Sequence, residues 1–310
     1  DVNALFYNPA GRADISESRV SILNINAEVG KRAYSLFREA RTVDFDDELE
    51  TAGFLRDNIG EYCHTSVTFL PYYERPNFAF ALIGTGTINF QARNRQYPKL
   101  VADAVGDAGA GVGYGHAFFD DSLLVGASVK FITRKSLDEE YTVLDIVTDD
   151  FNDLLDDDAV DGSGGLIDLG IIYVLKDLQV GERNVDFRFG ISASNLGKND
   201  MGDARNIDDH IDLGFAAEIG KLTFAFDYID LTNQLGEDKD HTKRIHLGAE
   251  YALKPYLFLR LGFYEGYTTY GISLTSKYAQ LDLLSYAEEI GLYSGQTSDR
   301  RYAFRLGLGF

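Results

Sequence analysis

The chain has 310 residues and a formal charge of −20 at pH 7, which argues against nucleic-acid binding because nucleic acid requires a cationic surface. Its mean hydropathy is −0.17 and no stretch approaches the roughly 18 apolar residues of a membrane-spanning helix, so that class is excluded. Cys63 is the only cysteine, which excludes a disulfide framework within the chain and a cysteine-based metal site.

The beginning of the chain has neither the charged nor the apolar region of a signal peptide. An exported form would therefore be numbered from the residue after signal removal. The first strands are predicted near residues 19–28, 64–73, 77–93 and 108–119, and they alternate less regularly than the later ones.

Residues 31–62 show helical spacing. Leu36 and Ala40, and then the apolar residues of 49–59, recur at intervals nearer 3.6 than 2. A second helix is predicted to begin near 46–48, where acidic side chains suit a helix N-terminus. We interpret these helices as loop or plug segments, because irregular backbone cannot face lipid. Their apolar side chains either line a path for a hydrophobic ligand or pack the helices, and the sequence does not distinguish the two.

From residue 108 onward, short segments alternate between apolar and small or polar residues, the period of two that is typical of strands. Each runs for roughly 9–12 residues, the length with which a tilted strand crosses hydrocarbon. Tight joins at 120–121 and 220–221 are typical of hairpin turns. Together with the early strands they number about fourteen, which predicts an all-β fold: a transmembrane antiparallel barrel with a short N-terminal helical plug.

Residues 142–163 interrupt this rhythm with a candidate helix over 144–155 and an acidic, glycine-rich run. Asp156, Asp158 and Asp161 supply the oxygen ligands that Ca²⁺ prefers. They lack the spacing of an EF-hand loop, and a solvated acidic loop is the alternative that the pattern favours.

Charged residues recur on the face predicted to point inward. They form either a polar binding pocket or a lattice of ion pairs, and the lattice is favoured because an isolated charge in a low-dielectric interior is costly. The predicted members of this lumenal network are Lys130, Asp168, Arg188, Asp212, Arg244, Glu250, Arg260 and Arg305. The five histidines accompany neither a G-x-S-x-G nor an H-E-x-x-H motif, so no enzyme and no cofactor are predicted.

The segment Asn3-Ala-Leu-Phe-Tyr-Asn-Pro-Ala-Gly11 resembles the Asn-Pro-Ala segment of the FadL/PorV-like superfamily of outer-membrane barrels. Four later strings are similar to strands of the PorV-like branch, and with the N-terminal segment they cover most of the chain in order. These strings are Leu124-Val-Gly-Ala-Ser-Val-Lys130, Ile167-Asp-Leu-Gly-Ile-Ile-Tyr173, Phe189-Gly-Ile-Ser-Ala-Ser-Asn-Leu-Gly197 and His246-Leu-Gly-Ala-Glu-Tyr251.

The resemblance implies a fourteen-stranded barrel in the outer membrane of a Gram-negative bacterium. It implies a lumenal hatch that includes Asn8, Pro9 and Ala10, and a lateral opening at a kink of the third strand, near Gly84 and Gly86. The alternative is that these two glycines relieve packing against the plug. Within this single domain, 1–310, residues 1–62 would hold the hatch segments and the first strand, and 63–310 the remaining strands.

The final strand places Tyr302, Phe304, Leu306, Leu308 and Phe310 on one face. Its aromatic end resembles the terminal strand of outer-membrane barrels, which implies that Phe310 is part of an assembly signal read by the barrel assembly machinery.

The function that the resemblance implies is passive uptake of hydrophobic or amphipathic small molecules through a channel that couples to no energy source. The alternative is a PorV-like barrel that does not transport and that serves as an accessory or docking subunit for a secreted or surface protein. Outer-membrane lipid is the expected surrounding of either.

Overall fold

A computed structural model describes residues 2–148, 151–235 and 240–310. Its strands form one antiparallel sheet in which they follow their order in the chain, two short strands share one position, and the last strand pairs with the first. The sheet is therefore a closed barrel, as predicted. Its strands are β1 (Arg19–Gly30), β2 (Tyr62–Phe69), β3 (Tyr72–Arg75), β4 (Phe78–Arg93), β5 (Lys99–Phe118), β6 (Leu123–Thr142), β7 (Val160–Val180), β8 (Arg183–Lys198), β9 (His210–Ile219), β10 (Leu222–Tyr228), β11 (Ile245–Lys254), β12 (Leu257–Tyr264), β13 (Tyr267–Thr275), β14 (Ala279–Glu289) and β15 (Ser298–Gly309).

Strands β2 and β3 are two parts of one barrel strand, which gives the fourteen-stranded barrel that the sequence predicts. Both pair with β4 in a single register, and both pair with β1. Leu70 and Pro71 separate them, and proline has no N–H to donate to a ladder. The neighbouring strand β1 contains a bulge between Ser21 and Leu23 at the same level. The irregular section of the wall therefore involves the first and second barrel strands, whereas β4, the third, is continuous.

Short turns close the barrel at one end, and longer connections lie at the other. The turn between β5 and β6 places Phe119, Asp120 and Asp121 at positive φ, and Gly220 has φ 62° between β9 and β10. Asp tolerates this conformation better than most residues, and glycine adopts it freely. Both hairpins follow the predicted joins. Below, the two ends are called the short-turn end and the long-loop end.

The two faces of the wall differ as the alternation predicts. Outward side chains such as Val129 and Phe131 of β6 are exposed, and Phe131 retains 60% of its accessible surface. Between them Ser128 and Lys130 point inward and are buried. A contiguous apolar exterior of this extent is the lipid-facing surface of a transmembrane barrel, because water would not solvate it favourably.

The helices α1 (Ala33–Ala40) and α2 (Glu48–Asp57) form where helical spacing predicts them. The side chain of Asp47 caps α2 by accepting hydrogen bonds from the backbone N–H groups of Leu49 and Glu50, at 2.8 and 3.0 Å. Two further helices, α3 (Val143–Thr148) and α4 (Phe151–Asp157), follow β6. Among the described residues, no helix is long and apolar enough to cross a membrane.

The position of α1 and α2 differs from the plug predicted for residues 31–62. Leu36 of α1 packs on Cys63, and Leu55 of α2 packs on Ala92 and Ala102. By the alternation of β2, β4 and β5, these wall residues point outward. The helices therefore stand on the exterior of the wall at the long-loop end. Periodicity identified the helices, but it carries no information about which side of the barrel they cover.

The lumen is occupied instead by the first residues of the chain. Two 3-10 helices, Val2–Leu5 and Pro9–Asp14, lie inside the barrel and form the short N-terminal helical plug. Below, "plug" denotes residues 2–14 only.

Arginine at the lipid-facing position 261 should destabilise the barrel, because a charge near the bilayer midplane costs about 2–4 kcal/mol. Leu261→Arg replaces an outward side chain that is 61% exposed in the middle of β12. The measurement is urea unfolding of the protein in lipid vesicles.

Thr223→Arg is the matched control, since Thr223 faces the lumen opposite Glu250 and Glu218, which would flank the new cation. Equal losses for both variants would contradict the assignment of the two faces.

Candidate functional site

The plug rests on a set of inward-facing glycines from four adjacent strands. Side chains at these positions would contact the plug, and at several of them they would overlap it: a Cβ at Gly126 would meet the Pro9 carbonyl, and a Cβ at Gly170 would meet the Asn8 side chain. The absence of Cβ atoms allows the plug backbone to approach the wall directly. We call this set the glycine seat, and it comprises Gly111, Gly113 and Gly115 of β5, Gly126 of β6, Gly170 of β7 and Gly190 of β8.

The predicted hatch residues Asn8, Pro9 and Ala10 lie at the centre of this contact. Asn8 caps the second 3-10 helix, since its Oδ1 accepts a hydrogen bond from the Ala10 N–H at 3.1 Å. Its amide donates to the Ile191 carbonyl of β8 at 3.2 Å. Pro9 stands at the first helical position, where the N–H that proline lacks is not needed. Asn-Pro-Ala therefore both starts a helix and attaches it to the wall.

Two ion pairs hold the C-terminal half of this helix. The Arg12 guanidinium is fully buried and donates from Nη1 to Glu74 Oε2 of β3 at 2.9 Å. Arg188 of β8 reaches Asp14 at 2.7 Å and lies 3.7 Å from Glu218. Arg12 and Glu74 shield each other from a low-dielectric interior in which either charge alone would be costly.

A third attachment is a buried polar cluster beneath the start of the plug. Lys130 Nζ lies 2.9 Å from Asp168 Oδ2 and 3.0 Å from Asn195 Oδ1. The hydroxyl of Ser128 lies within hydrogen-bonding distance of both the Leu5 carbonyl, at 3.1 Å, and Asp168, at 2.6 Å. The structure thus brings the predicted residues Lys130 and Asp168 together, with the plug backbone as a neighbour.

Apolar contacts complete the seat. Leu5 is fully buried and packs with Leu70, Tyr72 and Ala81 on the inner face of the second and third barrel strands. Phe6 and Ile83 border this cluster. Leu70 belongs to the interruption between β2 and β3, so the plug covers the inner side of the irregular section of the wall.

The opposite wall carries its own polar groups. Glu250 of β11 pairs with Arg260 of β12 at 2.6 Å, and Arg260 lies 3.7 Å from Asp282 of β14. Glu250 and Arg260 each keep roughly a third of their side-chain surface accessible, at 34% and 38%. This side of the lumen is therefore lined by partly solvated ion pairs.

The other predicted members of the network lie apart from these clusters. Asp212 accepts from the Asp230 N–H at 2.8 Å and lies 3.4 Å from His210. Arg305 donates to Asn24 at 3.1 Å. Arg244 lies at the end of the 3-10 helix His241–Arg244 and contacts Asn233 in the preceding loop. Among the described residues, the inward charges thus form several local pairs around the wall.

Gly84 and Gly86 face outward on β4. Both are paired on each side, Gly84 with Phe69 and Ala108, and Gly86 with Val67 and Gly106. The backbone ladder is therefore continuous at the predicted opening. A Cβ at Gly86 would meet nothing within 4 Å, so the exterior is open there.

Around this position the lipid-facing surface has a hollow of about 580 Å³. Val67, Gly86, Ile88 and Gly106 line it on the wall, and Leu155 of α4 lines its upper edge. The irregular junction at Leu70–Pro71 is adjacent to Gly84, since Leu82 donates its N–H to the Pro71 carbonyl at 3.0 Å. We call this feature the wall hollow.

The three aspartates predicted as calcium ligands make separate contacts in the structure. Asp156 pairs with Lys135, and Asp158 accepts from the Tyr141 hydroxyl at 2.9 Å, while Asp161 belongs to β7. Within the described ranges, no group of three or more candidate metal ligands converges. Asp149 and Asp150 of the same acidic run lie outside the described residues.

Sequence reasoning missed Arg12, Glu74 and the β5 part of the glycine seat. Glycine at every second position over 109–115 was the available signal. In a strand, this spacing places glycines on a single face, which indicates close approach by another backbone. The long-range pair Arg12–Glu74 has no such local signal.

Comparison with known proteins supports the fold. No family model and no curated protein matches the chain. Among solved structures, the monoaromatic hydrocarbon channel CymD aligns with 100% of this chain and 92% of its own, at 11% identity and a TM-score of 0.50. A mutant of the TodX monoaromatic hydrocarbon channel aligns with 99% of this chain and 93% of its own, at 12% identity and a TM-score of 0.46. The outer membrane protein OprD from Pseudomonas aeruginosa aligns with 96% of this chain and 96% of its own, at 10% identity and a TM-score of 0.35.

The class that fold and site define is a closed fourteen-stranded transmembrane barrel with a lumenal plug. The similarity to CymD is one of fold. It agrees with the closed barrel that the sequence motifs predict.

Glu74→Gln should release the plug without unfolding the barrel. Removal of one partner of a buried ion pair costs about 3–5 kcal/mol, and the plug can detach without breaking the ladder. Trypsin cleavage after Arg12, followed by mass spectrometry of the N-terminal fragment, should accelerate about tenfold or more, as local opening becomes favourable.

Glu61→Gln is the control, since Glu61 pairs with Arg32 at the surface, where both side chains are about 40% exposed. Unchanged cleavage after Arg12 in Glu74→Gln would show that this ion pair does not hold the plug.

Gly126→Leu should displace the plug sterically, because the new side chain needs the space of the Pro9 backbone. Single-channel conductance in a planar bilayer should rise relative to the wild type. Gly165→Leu is the matched control on β7, where a Cβ would meet nothing within 4 Å. A closed Gly126→Leu barrel with the same conductance as Gly165→Leu would be inconsistent with the glycine seat.

Proposed function

We propose that the protein is a channel for passive uptake of hydrophobic or amphipathic small molecules across the outer membrane of a Gram-negative bacterium. The solute enters at the long-loop end, meets the plug, and leaves sideways through the wall near Gly84 and Gly86. The observation that carries this proposal is the position of the wall hollow. It lies on the outer face of strands whose inner face contacts the plug, and it is nearer the long-loop end than the plug is.

The register of β5 supports this order along the route. Gly106 at the wall hollow lies toward the long-loop end, and Gly111, Gly113 and Gly115 of the glycine seat lie toward the short-turn end. A solute that descends the lumen therefore reaches the hollow's level before the plug obstructs it.

The wall has its irregular junction close to this route. Pro71, which has no N–H to donate, lies opposite Leu82, two residues from Gly84, and Gly84 and Gly86 carry no side chains on the lipid face of β4. Leu5 and Phe6 of the plug cover the inner side of this section. Movement of the plug would uncover an apolar surface there, which suits a hydrophobic solute better than an ion.

The similarity of fold to the channel CymD is consistent with uptake but does not identify a substrate. The lumenal wall itself is polar, so the proposed passage follows the plug side and not the ion-paired side of Glu250 and Arg260.

Uptake is tested with liposomes that contain trapped albumin, by the initial rate of accumulation of a labelled fatty acid. The initial uptake rate of liposomes with the wild type should exceed that of empty liposomes. Gly86→Leu should lower this difference in rate about fivefold or more, because the new side chain fills the wall hollow and removes an oriented path. Gly165→Leu, outward on β7, should retain the wild-type rate. Equal rates for wild type and empty liposomes would reject the channel.

A docking subunit of the PorV-like kind is the second candidate, favoured by the exterior helices. Helices α1, α2 and α3 rise from one side of the barrel at the long-loop end and present a surface that a channel alone does not require. Stoichiometric co-purification of a secreted or surface protein, lost on removal of residues 33–57 and retained in Gly86→Leu, would support docking over uptake.

A further inference from the structure

A cavity of about 390 Å³ lies between the exterior helices and the outer face of the wall. Leu36, Phe37 and Ala40 of α1, Phe54 and Leu55 of α2 and Ile146 of α3 line its helical side. Cys63, Phe90, Ala92 and Leu100 line its wall side. We call it the cap cavity. It is outside the barrel, and neither the plug nor the proposed uptake route occupies it.

The cap cavity exists because this section of wall is apolar on its outer face. Outward residues of β5 and β6, among them Ala102, Leu137 and Tyr141, are almost fully buried under the helices. These strands have 20 residues each, about twice the 9–11 that cross a bilayer, so part of the wall extends beyond the lipid. The helices cover that part, but they do not fill the space against it.

The volume of the cap cavity is that of a ligand site. It lies within the range of about 300–1,000 Å³ that sites for small molecules typically occupy. Water would not be held well in the cap cavity, because an ordered water needs two to four polar partners and the lining is mostly hydrocarbon. A hydrophobic molecule would gain by displacing disordered solvent from these surfaces.

The charges at the rim select against an anion. Glu61 is the charged residue of the lining, and its carboxylate already accepts from Arg32 Nε at 2.9 Å. Of the described residues that line the cavity, none is a lysine or an arginine. A carboxylate or sulfonate bound there would lie near Glu61 without a cation of its own, which is costly in an apolar site.

Aromatic side chains give the cavity its shape. Phe45 and Phe54 meet edge to face with ring centroids 5.7 Å apart, and Phe37 and Phe90 lie on other sides. Edge-to-face packing suits a further planar ring. Asn58 is nearly fully buried at the end of α2, and its amide donates to the Phe54 carbonyl at 3.0 Å, which fixes one edge.

We propose that the cap cavity is a binding site for an uncharged hydrophobic small molecule, preferably one with an aromatic ring, on the exterior of the barrel at its long-loop end. The site is independent of the uptake route, since it is formed by α1, α2, α3 and the outer wall whether or not the plug moves.

The absence of tryptophan from the chain makes a clean reporter available. Phe37→Trp places one indole at the cap cavity, and Leu49→Trp places one on α2 at a side chain that is 84% exposed and does not line the cavity. Both variants are titrated in lipid nanodiscs with 1,3-dinitrobenzene, an uncharged aromatic quencher, and with 3,5-dinitrobenzoate, which differs by one carboxylate.

The expected result is saturable quenching of Phe37→Trp by 1,3-dinitrobenzene, at a half-saturating concentration about tenfold or more below that of the anion, because the carboxylate would be buried unpaired. Leu49→Trp should show a linear, collisional response to both quenchers. Linear quenching of Phe37→Trp, or saturation by the anion at equal concentration, would overturn the proposal.

A filling variant and an independent readout complete the test. Ala40→Phe in the Phe37→Trp background should remove saturation, and Gly53→Phe, where a Cβ would meet nothing within 4 Å, should not. In the wild type, 1,3-dinitrobenzene should slow alkylation of Cys63 by N-ethylmaleimide, and the anion should not. Saturable quenching that persists in Ala40→Phe, with no protection of Cys63, would place the ligand outside the cap cavity.

Discussion

Closure of the backbone ladder is the constraint on which this structure depends. In hydrocarbon, an unpaired N–H or C=O has no water to bond, so a sheet can cross only when it has no edge. Pairing of β15 with β1 removes that edge. Closure also divides the environment of each strand into lipid outside and lumen inside, and the period of two in the sequence follows from that division. The position of every other feature depends on whether it contacts the lipid face or the lumenal face of the wall.

The inner face shows how a polar lumen accommodates a plug. Glycines let the plug backbone contact the wall, and charged pairs such as Arg12–Glu74 attach it without leaving a charge alone. Such contacts hold the plug in one orientation, whereas a purely apolar contact would fix it less specifically. They also keep its detachment separate from unfolding of the barrel, because none of them is part of the ladder.

The sequence predicted what is local. Alternation identified the barrel and its strand number, and the spacing of Leu36 and Ala40 identified a helix. It placed that helix in the lumen, whereas the structure places it on the outer wall. The deciding fact is the length of β5 and β6, whose long-loop ends turn apolar side chains outward beyond the lipid and need cover. Only part of these two strands was recognised, as 108–119 and 122–132, because Asp, Lys and Glu residues obscure the alternation elsewhere.

The residues of the site likewise divide into those that a local motif predicts and those that depend on long-range contacts. Asn8, Pro9 and Ala10 were found through a motif, whose physical basis is a helix start that also bonds the wall. Glu74 pairs with Arg12 of the plug, and Leu70 packs on Leu5. The sequence did not predict either contact, because each joins residues more than sixty positions apart in the chain. The predicted kink was assigned to the third strand through its glycines, but the irregular strand is the second, where Pro71 removes a donor.

Three features of the structure lie together on one side of the barrel. The second, third and fourth barrel strands carry the interruption at Leu70–Pro71, the wall hollow and the wall of the cap cavity, and Phe90 borders both spaces. Outward glycines and alanines of β4 and β5 have small side chains or none, which leaves room for the helices against this part of the wall. The plug covers the junction at Leu70–Pro71 from inside, and α4 borders the wall hollow from outside. Both faces of this side of the barrel are therefore bordered by elements that are not part of the sheet.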